Sequence, residues 1–303
     1  MNGIINIYKE AGYTSFDVVA KLRGILREKK IGHTGTLDPA ATGVLPVCVG
    51  NATKVCGLLT DKDKEYEAVL QLGLSTDTQD ATGQVLQDRR ELLPTLTEDC
   101  VREVIMGFIG DYEQIPPMYS ALKVNGKKLC DLAREGVEVE RKARLVHIFD
   151  IEITDMELPY VTMRVHCSKG TYIRTLCNDI GEQLNVGGFM KSLVRTRVSC
   201  FALEQALTLA QVEKHRDRGT LDQILMPVDE VFSEYPALCV KKEAEKRLHN
   251  GNRLTSCDLL EPFDLTRSSA NARFRVYDGT GRFYGIYGWD ETRGDMKSIK
   301  MFL

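Results

Sequence analysis

The sequence predicts an α+β protein with a small β-rich domain at its C-terminal end. Segments that alternate apolar and polar residues, such as 65–72 and 160–167, indicate half-buried strands. Thr14 and Thr97 each precede an apolar run with helical spacing, and both residues are suited to cap a helix. Strands and helices therefore alternate along most of the chain.

The pattern changes near Tyr235. From there, short β-like pieces follow one another, separated by Asn-Gly, Asp-Gly and Arg-Gly turns, which is typical of a small all-β unit. A length of 303 residues allows one large and one small domain. We expect the large domain to span residues 1–232 and the small one residues 233–303.

A strand and a helix at the N-terminus precede the glycine-rich segment 32–46. Gly3–Tyr8 alternates like a strand, and Thr14 or Ser15 caps a helix that runs to about Arg27. Helical spacing places the following residues on one apolar face: Phe16, Val19, Leu22, and Ile25 or Leu26.

The middle of the chain shows a regular succession of further elements. The first are the strand 65–72, the polar turn 76–83 and a helix from Thr97 to about Phe108. A proline-led short strand with an Asn125-Gly126 turn then leads into a helix that ends at Arg134 or Glu135. The strand 160–167 follows, with a glycine turn and a helix start, and then the basic strand 191–198.

Composition excludes several functional classes. No apolar run is long enough to span a bilayer, and the N-terminus lacks a signal-peptide pattern, so a cytoplasmic protein is expected. The nine cysteines and five histidines lack the spacing of a metal site. Neither a Walker loop nor a dinucleotide fingerprint occurs. We therefore expect no metal and no cofactor.

The formal net charge of −3 conceals local clusters of basic residues. They are Lys21 to Lys30; Lys123, Lys127 and Lys128; Arg141, Lys142 and Arg144; and Lys191, Arg195 and Arg197. Any one cluster could be the solvated face of a helix or strand. Four of them around uncharged loops suggest a surface that binds a polyanion.

The segment Gly32–Pro46 is built around one carboxylate, that of Asp38. Pro39 restricts Asp38 to extended conformations, and three glycines allow tight turns and close backbone approach. An Asp beside Pro commonly only forms a turn. Here His33 and the threonines of the loop crowd hydrogen-bonding groups around the carboxylate, which favours a reactive one.

A second candidate group lies where the strand 160–167 turns into a helix. An arginine at a helix start, Arg174, opposes the helix dipole unless an anion faces it, and Asp38 is a candidate partner. Tyr66 alone could be an ordinary core residue. Glycoside hydrolysis would need a second carboxylate, for which Asp80 is a candidate, and no Gly-x-Ser-x-Gly motif occurs.

Together these segments resemble the TruB family of bacterial tRNA pseudouridine synthases. The resemblance rests on Gly32–Pro46 with its Gly-Thr-Leu-Asp-Pro block, Lys64–Tyr66, Thr76–Asp80, Ile115–Lys128 and Ser168–Thr175. It spans about the first two hundred residues. It implies a pseudouridine synthase fold with a mixed, largely antiparallel sheet flanked by helices, and the C-terminal part is similar to a PUA-like RNA-binding domain.

The resemblance also implies a reaction, the isomerisation of uridine to pseudouridine at position 55 in the T-arm of tRNA, with the base flipped out of the stack. Asp38 would be the nucleophile, attacking either C1′ or C6. Tyr66 would stack on the uracil, Arg174 would pair with Asp38, and Tyr172 would accept the C5 proton.

Further residues match binding positions of the family. His33 would fill the space vacated in the T-loop, Lys54 and Asp80 would line the site, and Leu193 would pack against the uracil. Phosphate contacts would come from an arm at about 116–145, and from Lys191 and Arg195. The arm's expected contacts are Lys123, Lys127, Lys128, Arg141 and Arg144.

We expect a monomer without an obligate protein partner. Two alternatives keep the fold. One is a tRNA-binding or folding chaperone without turnover, and the other is an RNA-guided synthase of a ribonucleoprotein.

Overall fold

A computed structural model describes residues 1–124, 126–261 and 271–302. The expected Asn125-Gly126 turn falls partly outside these residues. Within them, the strands are β1 Gly3–Lys9, β2 Ile31–His33, β3 Thr42–Val49, β4 Lys64–Leu72, β5 Leu74–Thr76, β6 Val85–Asp88, β7 Gly110–Gln114, β8 Lys123–Val124, β9 Lys127–Lys128, β10 Arg144–Glu157, β11 Tyr160–Cys167, β12 Gly188–Val198, β13 Phe201–Ala202, β14 Ala237–Cys239, β15 Arg273–Tyr277, β16 Phe283–Asp290 and β17 Asp295–Met301.

The helices of the described residues are α1 Ser15–Leu26, α2 Cys56–Thr60, α3 Glu98–Met106, α4 Leu129–Arg134, α5 Ile173–Gln183, α6 Leu209–Asp217 and α7 Glu245–His249. Thr14 caps α1 and Thr97 caps α3, as the sequence predicts. None of these helices is both long and apolar enough to cross a bilayer.

The main sheet is mixed and largely antiparallel, which confirms the predicted fold class. In the described part of the chain its strand order is β1-β3-β12-β4-β11-β10-β7, with β2 beside β3 and β13 beside β12. Only the β3–β12 pair in this sheet is parallel among the described pairings. One core lies between the central strands and α3 and α5, and another between β1, β3, α1 and α6.

Gly43 permits the parallel pair to form. Val194 and Arg195 of β12 lie opposite Thr42 and Gly43 of β3. A Cβ atom at position 43 would lie 2.3 Å from the backbone oxygen of Arg195, and Gly43 also has a positive φ of 106°. Only glycine fits such a close approach of two backbones.

The C-terminal part forms a separate four-stranded sheet in the order β14-β15-β16-β17, confirming a β-rich unit there. It has its own core, which includes Phe274, Tyr287 and Trp289. A further apolar cluster joins Ile286 of this sheet to Val231 and Phe232, so the two units share a packed contact.

One prediction about α1 is wrong. Val18, Val19, Leu22, Ile25 and Leu26 are buried, but the Phe16 side chain does not join this face. Phe16 is 63% exposed.

Candidate active site

The Asp38 loop connects β2 to β3 and is fastened to the start of α1. The backbone N–H of Leu37 donates to Ser15 Oγ at 2.9 Å, and the N–H of Gly12 donates to the carbonyl of Pro39 at 2.9 Å. These bonds hold the residues on both sides of Asp38. The carboxylate is therefore presented from a fixed backbone, with 35% of its side chain exposed.

A buried lysine that the sequence analysis missed lies beneath this loop. Lys9 ends β1 and is fully buried, and its Nζ donates to the carbonyls of Glu10 and Pro39, each at 3.1 Å. Burial lowers the pKa of Lys9 to about 8, against the opposing attraction of Asp38. A charged residue at the end of the otherwise uncharged first strand was the available signal.

Arg174 forms a two-pronged ion pair with Asp38, as the position of the arginine in the sequence predicts. Its Nε lies 3.0 Å from Asp38 Oδ2, and its Nη2 donates to Asp38 Oδ1 at 3.3 Å. Nη1 donates to the carbonyl of Thr78 and Nη2 to that of Tyr119. The Arg174 side chain is 6% exposed, and these contacts fix its position. Because the two nitrogens of the guanidinium face the two carboxylate oxygens, the arginine also orients Asp38.

Asp80 stands behind this pair and does not line the cavity. Its Oδ2 lies 3.5 Å from Arg174 Nη1, and its Oδ1 accepts from the hydroxyls of Thr78 and Thr82. Burial raises the pKa of Asp38, Arg174 opposes this rise, and the like charge of Asp80 adds to it. Asp80 thus affects Asp38 in two ways: it contacts the Arg174 guanidinium, and its negative charge raises the pKa of Asp38.

Asp38 and Arg174 open onto a cavity of about 280 Å³, at the lower end of the range for small-molecule sites. The cavity is also lined by Tyr66 from β4, Tyr172 before α5, and Leu193 and Arg195 from β12, so six of the predicted residues meet there. Burial raises the pKa of both tyrosines, which are neutral phenols at pH 7.

Tyr172 is positioned by its backbone. Its N–H donates to Gln114 Oε1 at 2.7 Å, and its carbonyl accepts from Gln114 Nε2 at 3.0 Å. Gln114 ends β7 and is buried. The sheet edge therefore holds the turn that carries Tyr172.

Arg195 lies inside the cavity wall, so its expected place on an exposed basic strand is wrong. It is 1% exposed, and its Nε and Nη2 donate to the carbonyls of Val44 at 2.7 Å and Gly35 at 3.3 Å. It faces Tyr66, where its charge opposes the rise in the pKa of that phenol. These hydrogen bonds hold the guanidinium in the cavity wall.

Lys64 is a further cavity residue that the sequence analysis did not assign to the site. It stands two residues before Tyr66 on the same face of β4, and its Nζ donates to the carbonyl of Thr60 at 2.9 Å. Burial, and after it the nearby charge of Arg195, lower its pKa to about 8. The alternation of β4 was the signal that could have found it.

Other predicted residues lie outside the cavity. His33 accepts the N–H of Gly35 at its Nδ1, and Lys54 belongs to the short 3₁₀ helix Gly50–Val55. Arg141 donates to the carbonyl of Pro116 at 3.1 Å. The remaining members of the predicted phosphate-binding set are exposed: Lys123, Lys127, Lys128, Arg144 and Lys191.

No group of three or more His, Cys, Asp or Glu side chains is arranged to hold a metal ion in residues 1–124, 126–261 and 271–302.

The fold is shared with solved structures. A chain of a Cbf5–Nop10–Gar1 complex matches 99% of this chain and 85% of its own length with a TM-score of 0.75 and 26% identity. A chain of an H/ACA ribonucleoprotein bound to a substrate RNA containing 2′-deoxyuridine matches over the same shares with a TM-score of 0.74 and 24% identity. The fold is that of the pseudouridine synthases.

Sequence comparison defines the family. A model described as TruB family pseudouridylate synthase (N terminal domain) matches residues 23–173, and one described as tRNA pseudouridylate synthase B C-terminal domain matches residues 174–233. Proteins called tRNA pseudouridine synthase B from Lachnoclostridium phytofermentans and Clostridium kluyveri are 57% and 45% identical, over the full length of both chains. The chain belongs to the TruB family of pseudouridylate synthases.

Proposed function

We propose that this protein isomerises uridine to pseudouridine at position 55 in the T-arm of tRNA. The observation that carries the proposal is the Asp38–Arg174 ion pair at a cavity walled by Tyr66, of a size suited to one flat base. The names of its full-length relatives support tRNA as the substrate. A tRNA substrate fits the cytoplasmic location expected from the sequence.

The reaction needs only rearrangement of the nucleotide. The uracil leaves its stack and enters the cavity, and the Asp38 carboxylate attacks either C1′ of the ribose or C6 of the base. The bond between N1 and C1′ breaks, the uracil rotates, and a bond forms between C5 and C1′. C5 loses its proton and N1 gains one, so substrate and product have the same atoms.

The protonation states constrain the roles of the tyrosines. Tyr66 offers a buried ring as a stacking face for the flipped uracil. Tyr172 remains our proposed acceptor of the C5 proton. Because burial raises its pKa, Tyr172 must pass its own phenolic proton on as it takes the new one.

The tRNA would be held by exposed basic residues near the cavity. The arm at about 116–145 presents exposed lysines in β8 and β9, and Lys191 is exposed on β12, two residues before Leu193 of the cavity. We assign the unit at about 233–303 as a PUA-like RNA-binding domain, and the protein as a monomer that acts without an obligate protein partner. Single-stranded loops with splayed bases are the usual targets of such surfaces.

The test follows tritium release from a T-arm stem-loop labelled at C5 of the target uridine. Wild type should release tritium, and Asp38→Asn, which keeps the size and removes the nucleophile, should slow release by at least about 10⁴-fold. Binding of the same stem-loop by Asp38→Asn should stay close to wild type.

Two outcomes would count against the proposal. Release by Asp38→Asn at the wild-type rate would remove Asp38 from the chemistry. Tight binding without release by wild type would favour the tRNA-binding chaperone. The matched control is Asp61→Asn, a carboxylate outside the cavity whose loss should leave release unchanged.

A further inference from the structure

A second cavity of about 480 Å³ lies between α1 and the start of α2. We call it the α1 groove and define it by Phe16, Arg23, Lys29, His33 and Cys56, which all line it. Neither the catalytic pair nor the proposed roles of the tyrosines use it. Its lining combines an aromatic ring with basic side chains.

Phe16 gives the groove an exposed aromatic wall. The side chain is 63% exposed, although α1 buries its other large apolar residues. The guanidinium carbon of Arg23 lies 5.8 Å from the centre of the Phe16 ring. An exposed ring beside a cation is the arrangement on which nucleic-acid bases stack.

The charge around the groove is positive. Five basic residues lie in the segment 21–30, against one acid, Glu28. The Glu28 carboxylate accepts the N–H of Lys30 at 3.0 Å, and Lys30 Nζ donates to Asn51 Oδ1 at 3.0 Å. Lys30 also lines the groove, but its Nζ is engaged with Asn51, so Arg23 and Lys29 are the cations best placed beside Phe16 to contact a phosphate group.

The α1 groove is the immediate neighbour of the catalytic cavity. Cys56 begins α2 in the groove and Thr60 ends α2 in the cavity, about 6 Å along the helix axis. On the other side, His33 lines the groove and Gly35 lines the cavity. A single RNA strand can therefore reach both.

From this arrangement we infer that the α1 groove binds an unpaired nucleotide of the substrate RNA close to the target uridine. Its base stacks on Phe16, and its phosphate contacts Lys29 and Arg23. The inference rests on the proposed function, because the strand is placed by the uridine in the catalytic cavity.

The first test measures steady-state tritium release from the C5-labelled T-arm stem-loop by the full chain. Phe16→Ala should raise KM about 5- to 20-fold with kcat unchanged, and Phe16→Trp should restore KM. Phe149→Ala is the matched control, since Phe149 is 47% exposed and does not line the groove. If wild type is active and Phe16→Ala has an unchanged KM, the proposed role of the α1 groove in RNA binding is wrong, whereas the proposed function still stands.

The second test uses Cys56 as a reporter inside the groove. Iodoacetamide labelling of Asp38→Asn is followed by mass spectrometry with and without the stem-loop, and exposed Cys100 serves as the internal reference. Bound RNA should slow labelling of Cys56 at least about fivefold relative to Cys100, and less so in Asp38→Asn carrying Phe16→Ala. Equal labelling of Cys56 with and without bound RNA would contradict the inference.

No release from any stem-loop by wild type would instead defeat the proposed function itself.

Discussion

The catalytic cavity and the basic arm hold their positive charges in opposite ways. Arg174 is 6% exposed and is fixed by Asp38, Asp80 and two backbone carbonyls. In the arm, Lys127 is 65% exposed, and its Nζ lies 3.5 Å from Glu135 Oε2. From this contrast we expect the position of each charge to matter in the cavity, and the sum of the charges to matter in the arm. Substitutions should therefore act on different quantities in the two regions.

The sharpest test of this difference is Arg174→Gln. It leaves the buried Asp80 and the 35% exposed Asp38 without their shared cation. Because solvent screens Asp38, we expect a loss of stability smaller than the roughly 3–5 kcal/mol that breaking a fully buried pair costs. We expect kcat for tritium release to fall about 10²- to 10³-fold, as when a fixed electrostatic partner is removed. Thermal unfolding should be recorded beside the rates.

Arg174→Lys is the matched control, because it keeps the charge and loses the fork. Its kcat should lie between those of wild type and Arg174→Gln. Equal rates for Arg174→Lys and wild type would show that charge alone suffices in the cavity, as we expect for the arm.

A smaller effect is expected from Asp80→Asn, and it appears in the pH profile. Because burial and Asp80 raise the pKa of Asp38, kcat/KM of wild type should fall with decreasing pH at a midpoint above the ordinary value of 3.8. Below this midpoint Asp38 is protonated and cannot attack. Removing the Asp80 charge lowers the pKa of Asp38, so the midpoint should move to lower pH.

The measurement is kcat/KM from pH 4 upward for both proteins, with Asp61→Asn as the control. A midpoint that stays in place, or moves to higher pH, would mean that Asp80 acts on the site only by holding Arg174.

The smallest effects are expected in the arm. Lys127→Gln and Lys128→Gln should each weaken binding of the stem-loop only a few-fold, because each would remove about one of the proposed phosphate contacts. The slope of log affinity against log salt should become shallower by about 0.7 for each substitution. Lys214→Gln, on α6, is a control that removes the same charge outside the arm. A large loss of kcat in either arm variant would contradict the expected difference between the cavity and the arm.

The sequence predicted the pairing of Asp38 with Arg174 because one argument linked both residues. A cation at a helix start needs a nearby anion, and the loop presents one. Helix caps and alternating strands were similarly predictable, because a local rule decides each of them.

Predictions failed where tertiary contacts decide. Phe16 fits the helical spacing of the buried face, yet the core of α1 is completed by Val18 instead. Arg195 looks like the other basic residues of its strand, but the carbonyls of Val44 and Gly35 hold its guanidinium inside the protein. Leu193 and Arg195 stand two residues apart with no register shift between them, so the alternation of β12 could have placed Arg195 in the cavity wall beside Leu193.

The close contact at Gly43 makes the activity of the enzyme depend on a residue that takes no part in the reaction. Any side chain at position 43 would push β3 and β12 apart. Leu193 and Arg195, which lie on β12 and line the cavity, would move with that strand. Inactive sequences could therefore retain every reacting group. In this protein, the absence of a single methyl group is as much a condition of activity as the presence of a carboxylate.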